Sequence, residues 1–82
     1  METLMLCDLK PGDAFVFGMI DMMPRLHDTN GTAKTRPAEP LTVYAVMWTR
    51  VLNDKARVMG IIKMGDTQVF ECRSPWVYVK RL

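Results

Sequence analysis

Few side chains in this sequence of 82 residues have the chemistry of a reaction centre. His27 stands beside Asp28, a base next to a carboxylate that could orient it. Adjacent residues on an extended chain point to opposite sides, however, and no serine or cysteine is spaced to act as a nucleophile for the pair. Cys7 and Cys72 are the two thiols. With a single histidine they supply too few ligands for a closed zinc site, and two cysteines are too few for a disulfide framework. The expectation is therefore free thiols, no metal, no cofactor, no catalytic residue and a non-enzymatic role. Binding chemistry is better represented. Arg25, His27, Lys34 and Arg36 fall in one irregular stretch, while Tyr44, Trp48, Trp76 and Tyr78 fall in strand-like ones. Arginine and aromatic residues most often anchor interfaces, so these residues form the candidate partner-binding set.

The element that must position them is a hairpin. Leu41 to Arg50 is rich in β-branched and aromatic residues, which suit a pleated surface and lose χ1 freedom in a helix. Asn53-Asp54-Lys55 supplies turn chemistry, and Ala56 to Met64 returns as the second strand. Upstream, Leu4-Met5-Leu6 reads as a short strand. Lys10-Pro11-Gly12-Asp13 reads as a turn, since proline sets φ at its second position and glycine accepts the positive φ of a type II turn at its third. Ala14 to Phe17 follows as a strand, with Phe15, Phe17 and Met19 on the core-facing parity. Gly65-Asp66 turns the chain into Thr67 to Arg73, and Ser74-Pro75 separates that run from Trp76 to Leu82. In the last run Val77 and Val79 face in, leaving Trp76, Tyr78 and Lys80 outward. Both faces of 41–50 are apolar; the small Ala45 favours Val43, Ala45 and Met47 facing in, with Tyr44 and Trp48 outward. The expected core is Phe15, Phe17, Val43, Val58, Ile62 and Val77.

Residues 21–40 contain Pro24, Pro37, Pro40 and Asn30-Gly31, so regular structure should fail there. Loops of this length within a small domain are usually functional or disordered. The expected fold is thus all-β: one domain over residues 1–82, a small five- to six-stranded barrel with a long loop at 21–40.

Composition narrows the function classes. No apolar run approaches the roughly 20 residues needed to span a bilayer, and the first residues carry Glu2 and Asp8 where a secretory signal wants basic charge. A cytoplasmic location with no membrane partner is expected. Eleven basic against nine acidic residues leave a net charge of +2, which places nucleic acid second to protein as a partner.

The succession of a Leu-Lys-Pro-Gly-Asp turn, a Phe-x-Phe strand, a long loop, a hairpin and two short strands split by Ser-Pro resembles small SH3-like barrels. The Lys-Pro-Gly-Asp opening in so short a chain also resembles proteins of phages and mobile elements. That resemblance implies a compact module that binds a host protein or protein complex, as do inhibitors of bacterial defence systems, including the anti-CRISPR type. A second resemblance is carried by Gly12-Asp13, an apolar strand, a loop and Arg36-Pro37, which are similar to the opening of PemK-type mRNA-interferase toxins. It implies a ribonuclease in which Arg36 belongs to the active surface. The chain departs from that family at Ala38-Glu39-Pro40 and lacks its later Thr-Ser segment. A third reading is an RNA- or single-stranded-DNA-binding barrel, with Tyr44, Trp48, Trp76 or Tyr78 stacking on bases and Arg50, Arg57, Lys63 and Lys80 meeting phosphates.

Overall fold

Eight short strands, all antiparallel, make up one sheet in the computed structural model, which describes residues 1–19, 21, 23–28, 30–34 (for Lys34, the backbone alone) and 41–82. They are β1 (Glu2–Met5), β2 (Ala14–Val16), β3 (Leu26–His27), β4 (Ala33–Lys34), β5 (Val43–Asn53), β6 (Ala56–Lys63), β7 (Val69–Cys72) and β8 (Tyr78–Arg81). Their order across the sheet is β1-β8-β2-β5-β6-β7-β3-β4, and the sheet curls into a half-barrel. This is the small all-β architecture expected, and it is consistent with an SH3-like barrel. A 3-10 turn at Leu6–Asp8 follows β1.

Local chemistry explains the turns. The Asp13 N–H donates to the Lys10 carbonyl at 3.0 Å around Pro11 and Gly12, with Gly12 at φ +96°, as a type II turn requires. The Asp66 N–H donates to the Lys63 carbonyl at 3.0 Å, closing the turn at Gly65. Asn53 pairs with Ala56 across the central hairpin, and its side-chain oxygen accepts the Lys55 N–H at 2.9 Å.

The core lies inside the curl. Phe15, Phe17 and Tyr44 form an aromatic triad, with Phe15 stacked on Tyr44 at 5.9 Å between centroids and Phe17 edge-on to both at 5.3 and 5.2 Å. Leu6, Leu9, Met23, Val46, Met59, Ile61, Cys72 and Val79 close around it.

Three expectations are corrected. First, Tyr44 and Val46 face the core, whereas Val43, Ala45 and Met47 face out. The reason is a register shift between Val46 and Trp48: Val46 pairs with Ile61, Trp48 pairs with Gly60, and Met47 is skipped. Such a bulge inverts the alternation, so Tyr44 and Trp48, which share a parity in sequence, lie on opposite faces. Ile62, paired with the outward Ala45, is likewise on the outer face and only half-buried. Phe15, Phe17 and Val58 are buried as expected, and Val77 packs partly buried against the core. Second, Met19 is exposed rather than inward. Third, Leu26–His27 and Ala33–Lys34 are not irregular, because as β3 and β4 they form a miniature hairpin that extends the sheet beyond β7. Its loop is held by Asp28, whose Oδ1 accepts the N–H groups of Asn30 at 3.0 Å and Thr32 at 2.7 Å.

Candidate functional site

The aromatic residues left to solvent cluster at β8. Val79 points into the core, so the alternation turns Tyr78 and Lys80 outward, and Trp76 precedes them on the same parity. Trp76 is 48% exposed and Tyr78 54%. Their backbone is held firmly. Cys7 N–H donates to the Pro75 carbonyl at 3.0 Å and Leu6 N–H to the Val77 carbonyl at 2.8 Å, which zips the 3-10 turn onto the chain leading into β8.

Two depressions flank this strand. One, of about 230 Å³, lies between the 3-10 turn and the end of the β5–β6 hairpin; Cys7, Asp8, Val51, Arg57 and Trp76 line it. Arg57 Nη1 donates to the Cys7 carbonyl at 3.0 Å and holds the hairpin down. Burial raises the Cys7 thiol pKa, the Asp8 carboxylate raises it further and the Arg57 guanidinium opposes both, so this thiol stays protonated at neutral pH. The other, of about 220 Å³, lies where the chain leaves β2, between Phe17–Met19 and β8.

A third group runs across the outer face. Registers align His27 with Glu71, Glu71 with Gly60 and Gly60 with Trp48. The Trp48 indole covers Gly60, and the Arg50 guanidinium sits 5.5 Å from the ring centroid. Arg73 pairs with Glu71 at 3.3 Å. His27 Nδ1 is buried without a hydrogen-bond partner among the described residues.

Charge is unevenly committed. Asp13 accepts the Lys10 N–H at 2.9 Å, Asp66 accepts the Thr67 N–H at 2.7 Å, Asp28 holds its loop, and Glu2 and Glu71 pair with Arg81 and Arg73. Arg25, Lys55, Lys63 and Lys80 make no ion pair among the described residues. Asp8, Asp21 and Asp54, exposed like these cations, also make no ion pair or side-chain hydrogen bond among the described residues.

The residues singled out in the sequence therefore separate. Trp76 and Tyr78 come together at β8. Trp48 and His27 share the outer row, Trp48 half-buried under Arg50. Tyr44 is corrected from binding surface to core, where burial raises its phenol pKa. Arg25 is exposed, Lys34 lies on β4 at the sheet edge, and Arg36 lies outside the described residues. Asp28 is engaged by its own loop, which leaves it a structural duty beside His27. Among the described residues no group of three or more His, Cys, Asp and Glu is placed to hold a metal ion, and no helix is long and apolar enough to cross a membrane. The slot beside Gly18 and the Glu71–Arg73 pair escaped the sequence reading; the one local signal was glycine directly after the Phe-x-Phe strand.

No family model, curated protein or solved structure matches the chain.

Proposed function

We propose that the chain is a non-enzymatic macromolecule-binding module, an SH3-like barrel of phage or mobile-element type that docks on a host protein or protein complex and inhibits or redirects it, as anti-CRISPR inhibitors do. The observation that carries this reading is the pair Trp76 and Tyr78. Both are about half exposed on a segment whose opposite side is core and whose backbone is pinned by the 3-10 turn. Tryptophan and tyrosine are among the residues most enriched at interface centres.

The test is recovery of partners from nuclease-treated bacterial lysate on immobilised protein, with Trp76→Ala/Tyr78→Ala as the comparison. A protein or complex retained by the parent and lost with the double variant supports the reading. Equal recovery by both sinks it. The nucleic-acid reading is favoured by one observation, Lys80 beside Tyr78 without a carboxylate partner among the described residues. Binding that falls steeply with salt and vanishes on nuclease treatment would select it.

A further inference from the structure

We infer that the slot between β8 and residues 17–19 receives an apolar side chain carried on an acidic stretch of the partner protein. This rests on the docking function proposed above and names its chemistry. The slot exists because of how β2 ends. β2 pairs with β8 at Phe15 with Arg81 and at Val16 with Lys80, and no further. At Gly18 the chain takes φ +84°, a conformation that a residue with a Cβ rarely adopts, and it leaves the sheet. The space that continued pairing would have filled stays open.

Its lining sets the chemistry. Phe17, Gly18 and Met19 form one side, Tyr78 and Lys80 the other, with Thr3 beside them. At about 220 Å³ it exceeds the roughly 150 Å³ apolar cavity that accommodates benzene, so a leucine or aromatic side chain fits. A Cβ on Gly18 would meet only the Lys80 Cε, at 3.9 Å, so the end of the lysine stem lies against Gly18 in the wall of the slot. Among the described residues no carboxylate lines the slot. Lys80 has no ion pair among the described residues, and Glu2, next to Thr3 in sequence, is engaged by Arg81. The occupant is therefore apolar at its tip and negative at its flanks, with the Tyr78 and Thr3 hydroxyls available to its polar groups.

The probes are three fluorescein-labelled peptides: a leucine flanked on both sides by Asp and Glu, the same leucine flanked by Lys, and the acidic peptide with serine for leucine. Anisotropy gives affinity, and amide chemical shifts on the isotope-labelled protein give location. The acidic leucine peptide should bind about tenfold or more tighter than either control, a difference of about 1.4 kcal/mol. Its shifts should centre on Gly18, Met19, Tyr78 and Lys80. Lys80→Glu, which breaks no ion pair among the described residues and should keep the parent unfolding midpoint, should reverse the preference between acidic and basic peptides. Equal affinities for the three peptides, shifts centred on Trp76 and Arg57, or displacement by oligo(dT) would overturn the assignment. The lysate experiment keeps the two readings apart. A partner lost with Trp76→Ala/Tyr78→Ala but held equally by Lys80→Glu leaves the docking function standing and removes the slot from it.

Discussion

The Trp48 indole lies directly on the Gly60 backbone, so closely that a Cβ at position 60 would overlap the ring. These residues are register partners on the outer face, and the glycine is there because the tryptophan occupies its side-chain space. Gly60→Ala should force the indole off β6. The expected cost is roughly 1–3 kcal/mol, the range for overpacking a close contact. In a Trp76→Phe background, Trp48 emission should shift to the red; an unchanged spectrum and midpoint would show that the ring moves aside freely.

Ile61 and Ile62 should behave differently although they are neighbours. Ile61 is fully buried in the core, while Ile62 is half-buried on the outer face. Ile61→Ala should cost roughly 2–5 kcal/mol through the cavity it leaves. Ile62→Ala should cost clearly less. Urea midpoints decide the order, and the reverse order would contradict the inversion at Met47.

Cys72 predicts an alkaline limit to stability. Burial pushes its thiol up to about 11 from an ordinary 9.0. The folded state holds this proton more tightly than the unfolded chain, so the contribution is complete below pH 9.0 and is lost as pH rises towards 11. Two pKa units correspond to on the order of 3 kcal/mol. The raised Cys7 and Tyr44 groups act in the same direction. Cys72→Ala isolates the effect, and its unfolding midpoint should fall less steeply over this window than the parent's.

Arg57 ties the β5–β6 hairpin to the 3-10 turn through its bond to the Cys7 carbonyl. Arg57→Ala should lose roughly 1 kcal/mol. Hydrogen exchange should quicken at Val51 to Ala56, with Phe15 and Ile61 unaffected. Uniform acceleration would mean that the hairpin end opens only with the whole domain.

The basic residues between 21 and 40 should separate from stability. Replacing Arg25, Lys34 and Arg36 together by alanine should move the midpoint by no more than about 0.5 kcal/mol per site, and partner capture should weaken. Capture at parental strength would confine the docking surface to β8 and its neighbours.

The turns and the last strand were determined by the sequence itself. Pro11-Gly12, Asn53 with Lys55, and Gly65-Asp66 act within four residues, through fixed φ and short side-chain bonds, so their identity is enough to place them. The alternation of Val79 against Tyr78 and Lys80 holds because β8 pairs with β1 without a register shift. Tertiary structure decided the rest. A period of two carries no trace of a skipped ladder position, so only pairing with β6 could show that Met47 drops out and sends Tyr44 inward while Trp48 stays outside. β3 and β4 are two residues each, too short to announce themselves by composition, and they exist as strands through the backbone groups that β7 offers to Leu26 and His27. The slot at Gly18 is likewise a property of two strands that part. Gly18 permits the turn, but the distant residues Thr3, Tyr78 and Lys80 make it a cavity.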